Sequence, residues 1–296
     1  MSRTLTAAPP SAAAPRWQMS LKTATRIKKA IITVILIVLS IAALFPFYWM
    51  VSGSLKTEFE AFQFPPTLYP QEPTLENYQG LTRDLPFGLF YLNTLKIAGL
   101  SVLGQLITSS LAGYAFARLD FPGKDKLFLV VLGTMMVPAI TTIIPLYILV
   151  YQINWVNTHY PLIVPTMLGS AYGTFLLRQY MLSLPKELED AARIDGCNSF
   201  QVYYKIALPL MKPALATLGL FTFMGQWNDF FGPLIFLDKL ELYTVQLGAN
   251  LAQGQWYTDQ PRLMAGSVLI TLPVLLVFLF LQRYFVRGIN LTGIQG

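Results

Sequence analysis

The chain has 296 residues, 54% of them hydrophobic and 12% charged, and a formal net charge of +6. Soluble domains carry about 25% charge, so half that share in a more apolar chain points to lipid as solvent and excludes an ordinary water-soluble enzyme. The basic residues flank apolar runs instead of lining one polar face with interleaved aromatics, which excludes a nucleic-acid surface and leaves orientation in a bilayer as their meaning.

In chain order, residues 1–29 are basic and free of acids, and 7–15 are rich in Ala, Pro and Ser. This composition predicts a disordered cytoplasmic tail. It is a poor secretory signal, because the apolar run behind it is too long and no small-residue cleavage site closes it. The first span is expected over 30–53, ending in an aromatic belt of Phe45, Phe47, Tyr48 and Trp49. A proline-punctuated outer loop follows. Span two is expected over 89–116, with Lys96 near its outer end read as a snorkelling side chain. The basic turn 118–126 is inside. Span three, 127–150, carries Pro138 and Pro145 and is expected as one kinked helix. Span four covers 160–182, span five 213–237 and span six 263–285, with an outer loop over 238–262 between the last two. The expected fold is an all-α membrane protein of about six transmembrane helices, a permease domain over 30–296, with both termini cytoplasmic. That orientation leaves only Lys56, Arg83, Lys239 and Arg262 in outer loops and Lys96 in a span; every other basic residue falls inside.

Few residues suit chemistry. Cys197 and His159 are the single cysteine and histidine, so an intrachain disulfide and a zinc site of clustered His and Cys are excluded. Cys197 reads as a small packing residue and His159 as a loop residue beside the membrane surface. No G-x-x-x-x-G-K-[ST] phosphate loop and no H-E-x-x-H occurs. Asp229 is the clear mid-span acid, beside Asn228 and the Gly232-Pro233 break. A carboxylate at that depth is costly, and two readings stand: lining a pathway, or bonding between helices.

The cytoplasmic segment 183–212, SLPKELEDAARIDGCNSFQVYYKIALPLMK, is the most informative. Pro185 suits a first helical turn, and Glu187, Glu189 and Asp190 favour the positive end of a helix dipole. Leu188, Ala191, Ala192 and Asp195 share a face at helical spacing, and Gly196 stands where such a helix ends. Asn198 or Ser199 can cap a second helix that stops before Pro209. On the residues alone this is a surface helix-turn-helix, with a bland loop and a docking element both open.

The segment resembles the EAA loop of the membrane subunits of binding-protein-dependent ABC importers. That pattern is Glu-Ala-Ala, three residues, Gly, nine residues, then Ile-x-Leu-Pro. Here Asp190-Ala191-Ala192, Gly196 and Ile206-Ala207-Leu208-Pro209 keep both spacings, with Asp190 in place of glutamate and Glu189 before it. Ser54-Leu55-Lys56-Thr57, Thr74-Leu75-Glu76-Asn77-Tyr78, Tyr114-Ala115-Phe116-Ala117-Arg118 and Trp227-Asn228-Asp229-Phe230-Phe231-Gly232-Pro233-Leu234 extend the resemblance to carbohydrate importers, most of all the maltose-permease type.

The resemblance implies a type I importer permease, without catalytic activity, in the bacterial cytoplasmic (inner) membrane. It would carry a carbohydrate, such as a maltose-type oligosaccharide. It implies a coupling helix over 186–195 that docks on an ATPase, with Glu189 or Asp190 meeting a basic residue there. Glu187, Ala191, Ala192, Asp195, Gly196, Ile206, Leu208 and Pro209 complete that surface. Asn228 and Asp229 are pathway candidates. The loop 238–262 stands where relatives reach into the binding protein, making Gly254, Gln255, Trp256 and Tyr257 contact candidates; the two aromatics equally suit a belt. The tail 288–296 stands where relatives touch the ATPases, but Gln295-Gly296 replaces a more usual Lys-Gly. The implied partners are two ATPase subunits, a second homologous permease, an extracytoplasmic sugar-binding protein and membrane lipid, and not nucleic acid. The chain itself would hold no cofactor, with ATP and Mg on the ATPases. The competing reading is a secondary transporter or channel for a small polar solute; an intramembrane enzyme ranks last.

Overall fold

The structure, a computed structural model, describes residues 21–251 and 259–292. Among them the chain is helical, with no strand. Two compact units are formed, 1–49 and 50–296. In the first lies most of α1 (Leu21–Ser54), an uninterrupted helix that contains Pro46. It begins nine residues before the expected span, because Lys22–Lys29 add a basic helical turn or two below the apolar run; residues 1–20 lie outside the described residues.

The second unit begins with α2 (Glu58–Ala61) and α3 (Glu76–Asp84) in the proline-rich loop. Then come α4 (Phe87–Arg118), α5 (Lys124–Thr134), α6 (Ile143–Gln152), α7 (Tyr160–Met167) and α8 (Ala171–Leu182). The inner segment holds α9 (Glu187–Ile194), α10 (Ser199–Val202), a π turn over Tyr203–Ala207, and α11 (Leu208–Leu210). The chain continues through α12 (Lys212–Trp227), α13 (Phe231–Phe236), α14 (Val245–Asn250) and α15 (Gln260–Thr292).

Among the described residues four helices are long and apolar enough to cross a membrane, and up to six spans result when each bent pair counts as one. The expected kink in span three is a true break: α5 and the 139–152 helix meet at 89°. Pro138 disfavours helical backbone at Val137, so the helix stops before it and restarts after it. Span four also breaks, at 168–170, where Gly169 has φ of +106° and Ser170 caps α8 by accepting the Gly173 N–H at 2.9 Å. Span five is shorter than expected. Its helix ends at Trp227 rather than 237, and α13 forms a separate piece.

The long α4 is the mast of this unit, with α7, α8 and α12 packed along it. Small residues allow that approach. A Cβ on Gly113 would stand 2.9 Å from the Leu177 side chain and 3.0 Å from the Arg178 nitrogen, so α4 and α8 touch nearly backbone to backbone. Toward the inner end Tyr114, Leu177, Met181, Val202, Ala207 and Met211 form one core. A second gathers Ile97, Val150, Leu162 and Phe236, and a third Leu81, Phe87, Phe90, Trp227 and Val245. In α15, Pro273 lacks the N–H that would satisfy the carbonyl of Leu269. The Tyr91 hydroxyl donates to that carbonyl instead, and the Trp227 indole N–H donates to the next one, Ile270, at 3.1 Å. Neighbouring helices thus repay what the proline removes, as a lipid environment requires.

Candidate functional site

Two places in the second unit bring the singled-out residues together. The first is the inner segment. Acids fill the first turn of α9, where the helix dipole favours them. Gly196, with φ of +84°, ends the helix in a left-handed turn with open space where a Cβ would stand. Asn198 then starts α10 through a reciprocal box: its carbonyl oxygen accepts the Gln201 N–H at 2.9 Å, and Gln201 accepts the Asn198 N–H at 2.8 Å. Of the two predicted caps, Asn198 is the one used.

The helix divides its residues between two faces. Glu187, Leu188, Asp190, Ala191, Asp195 and Gly196 are exposed, while Glu189 and Ala192 are buried. Ala192 therefore leaves the face it was expected to share with Leu188, Ala191 and Asp195. Glu189 is a sharper correction. Its carboxylate accepts from Arg118 Nε at 2.6 Å, and the two side chains are 3% and 7% exposed in the order Arg118, Glu189. Arg118 also donates through Nη2 to the Leu184 carbonyl at 2.8 Å. Of the two acids expected to meet a partner's cation, only Asp190 is open to one. Ile206 and Leu208 are half-buried against the inner core, and Pro209 is exposed.

Arg118 was legible in the sequence only as part of a basic turn and of the Tyr114–Arg118 pattern. Its role as the strut between α4 and α9 came from the structure. Arg178 is likewise used internally, donating to the Phe116 carbonyl at 3.2 Å and lying 4.1 Å over the Phe128 ring.

The second place is a cavity of about 410 Å³ where the breaks after α5 and after α12 meet α7. Asp229 lines it, with Thr142, Thr166 and Gln226 among apolar neighbours. Its Oδ1 accepts the Gly232 N–H at 3.0 Å and so starts α13. Gln226 donates to Thr166 Oγ1 at 2.8 Å. Asp229 thus faces a cavity while its bond is local, to the start of the next helix, rather than between helices. Asn228 is not in the lining; its amide donates to the Met224 carbonyl at 2.9 Å, closing the end of α12. Gln226 went unnoticed in the sequence, although a lone amide in the apolar run 213–227 was the available signal.

At the outer end, α4 grips the last outer loop. Asn93 donates to the carbonyls of Glu241 and Tyr243 at 2.8 and 3.0 Å, and Thr94 Oγ1 accepts the Val245 N–H at 2.8 Å. His159, buried at the start of α7, meets the Leu242 carbonyl at 2.9 Å. Burial pushes the His159 imidazole below its ordinary pKa; the bond to Leu242 opposes this and the charge of Lys96 adds to it. In the loop after α1, burial pushes the Glu60 carboxyl up. Bonds from the Thr67 hydroxyl and the Gln71 and Glu72 N–H groups, with the charge of Lys56, more than reverse that, and it ends below the usual carboxylate range. The contact candidates Gly254, Gln255, Trp256 and Tyr257 lie outside the described residues, as do Gln295 and Gly296. Among the described residues no three His, Cys, Asp or Glu side chains gather as a metal site.

Comparison with known proteins agrees with this architecture. Residues 106–291 match the family described as binding-protein-dependent transport system inner membrane component. The chain is 35% identical over 259 residues to the arabinooligosaccharides transport system permease protein AraQ of Halalkalibacterium halodurans, covering 86% of this chain and 92% of the relative. It is 35% identical over 265 residues to the sn-glycerol-3-phosphate transport system permease protein UgpE of Pectobacterium atrosepticum, covering 86% and 94%. In fold it is similar to a chain of a crystal structure of a bacterial ABC transporter that imports the acidic polysaccharide alginate, with TM-score 0.78, 24% identity, and coverage of 92% of this chain and 100% of that one.

Proposed function

Because the chain belongs to the binding-protein-dependent transport system inner membrane components, as a non-catalytic, multi-pass permease subunit of an ABC sugar importer, we propose that it translocates an oligosaccharide into the cytoplasm using ATP hydrolysed elsewhere. Two separate subunits would bind the ATP and Mg, a second homologous permease would complete the pathway, and an extracytoplasmic binding protein would deliver the sugar. The likeness to AraQ supports an oligosaccharide. Relatives as different as AraQ and UgpE share this degree of identity, so nothing singles out a maltose-type sugar.

One observation carries the coupling role: α9 presents Asp190, Ala191, Asp195 and Gly196 outward while Glu189 ties its other face to the inner end of α4. A helix held so firmly to a spanning helix moves with it. When the ATPases close, a pull on α9 is delivered to α4, and with it to α7, α8 and α12, which line or adjoin the cavity at Asp229. The cavity's polar groups then serve the passing sugar.

The test uses the assembled transporter in proteoliposomes. Gly196→Leu places a bulky side chain at the exposed end of α9, where a Cβ meets nothing within the chain. The left-handed backbone there also costs a non-glycine residue about 1–2 kcal/mol. The expected result is normal membrane assembly with ATP hydrolysis no longer linked to uptake. Normal coupled uptake by this variant would remove α9 from the mechanism.

A further inference from the structure

Beside the inner half of α4 lies a cavity of about 640 Å³ that is separate from the outward face of α9 and from the cavity at Asp229. Its wall is apolar, built by Leu106 and Ile107 of α4 with Leu208 and Leu215 across from them. Lys205 and Lys212 also line it. Both lysines are exposed, and neither forms an ion pair among the described residues. One side is fixed by the Tyr203 and Ser110 hydroxyls, 2.8 Å apart and buried. The π turn over Tyr203–Ala207 supplies Tyr203, Tyr204 and Lys205 to this lining, and such widened turns gather at functional sites.

The depth of the cavity matters. Ser110 precedes Arg118 by about two helical turns, or about 12 Å of rise. The wall therefore climbs from the inner end of α4 into the hydrocarbon, while the lysines come from the segment that the charge bias places in the cytoplasm. Unpaired cations at headgroup level below an apolar wall match a molecule with an anionic head and a hydrocarbon tail. A free phosphate would leave the wall empty. A protein helix laid over it would need acids to meet the two lysines.

We propose that this cavity binds an anionic phospholipid of the cytoplasmic leaflet, its phosphate on Lys205 and Lys212 and its chains against Leu106, Ile107, Leu208 and Leu215. The lipid braces the junction where the Ser199–Leu210 helix turns by 75° into α12, between the coupling segment and the spanning bundle.

The experiment purifies the assembled transporter and measures retained lipid by native mass spectrometry after exchange with phosphatidylglycerol or phosphatidylcholine vesicles. A basic residue near the anionic surface contributes enough that losing two should weaken phosphatidylglycerol binding roughly thirtyfold in Lys205→Gln/Lys212→Gln. Phosphatidylcholine should be held weakly by both proteins. Lys124→Gln/Lys126→Gln, elsewhere on the inner face, should leave phosphatidylglycerol retention unchanged. Equal retention by the wild type and the Lys205/Lys212 variant would overturn the site. So would an equal loss in the Lys124/Lys126 variant, which would mean general surface charge. Efficient crosslinking of Ile107→Cys to another permease chain would overturn it too, showing the groove to be a subunit interface.

Discussion

The inner end of the second unit and the region around Asp229 are built on opposite principles. At the inner end three contacts tie the pieces together: a buried ion pair joins α4 to α9, a capping box starts α10, and Tyr203 bonds to Ser110. Around Asp229 the helices stop and restart, at Pro138 without a side-chain cap and after Trp227 with the single bond from Gly232 to Asp229. A region that must pass force needs few alternative conformations. A region that must open needs breaks that can re-form at little cost. If α9 couples and the Asp229 region opens, as proposed, the contrast marks where this permease is rigid and where it yields.

The largest effect should come from breaking the rigid end. Removing one member of a buried ion pair leaves the other charge uncompensated, at about 3–5 kcal/mol, whereas replacing both with apolar residues is often neutral. Arg118→Met and Glu189→Met should each lower the unfolding temperature of the purified assembly sharply, and Arg118→Met/Glu189→Met should recover most of the loss. If the pair also transmits motion, the double variant will be stable yet poor in ATP-linked uptake. A double variant that transports normally would make the pair purely structural and level the contrast.

At the yielding end the effect on stability is smaller and the effect on transport larger. Asp229→Asn keeps an oxygen to accept the Gly232 N–H, so the start of α13 survives; loss of the cap in Asp229→Ala should cost about 1 kcal/mol. If the carboxylate serves the passing sugar, both variants lose uptake while only Asp229→Ala loses stability. Uptake that follows stability alone would leave Asp229 as a cap. Sugar uptake and thermal unfolding on the same preparations decide between these outcomes.

How far the sequence foretold this division follows from the range of each interaction. Apolar runs report on the bilayer, a uniform solvent, so a multi-pass helical chain of four to six spans could be read from composition. The α9 break at Gly196 and the Asn198 cap are local, and their signals stood in the text. The length of span five was misjudged because Phe231–Phe236 is as apolar as the helix before it; composition does not record that Asn228–Phe230 leave the helix. Arg118 with Glu189, and Gln226 with Thr166, are pairs distant in sequence. Their partners become visible only when α9 lies against α4 and α7 against α12.

The smallest effect tests whether the outer end shares the rigidity of the inner one. Unfolded, an imidazole takes up its proton near the ordinary value of 6.5; in the folded chain burial holds His159 neutral to lower pH. The folded state therefore binds fewer protons, and the contribution of this group is complete above about 6.5 and declines as the pH falls below it. Glu60 acts lower down: its carboxyl is held below the ordinary 4.5, so its contribution is complete above that value and is lost as the pH falls through the depressed one. Between 6.5 and 4.5 the slope belongs to His159 rather than Glu60. Unfolding temperatures of the purified assembly, measured across that window, should fall with acidity in the wild type and fall less in His159→Gln, whose amide can still reach the Leu242 carbonyl. An identical slope in both proteins would show that the grip of α7 on the last outer loop is loose enough to admit water. The rigid part of the molecule would then end at its inner half.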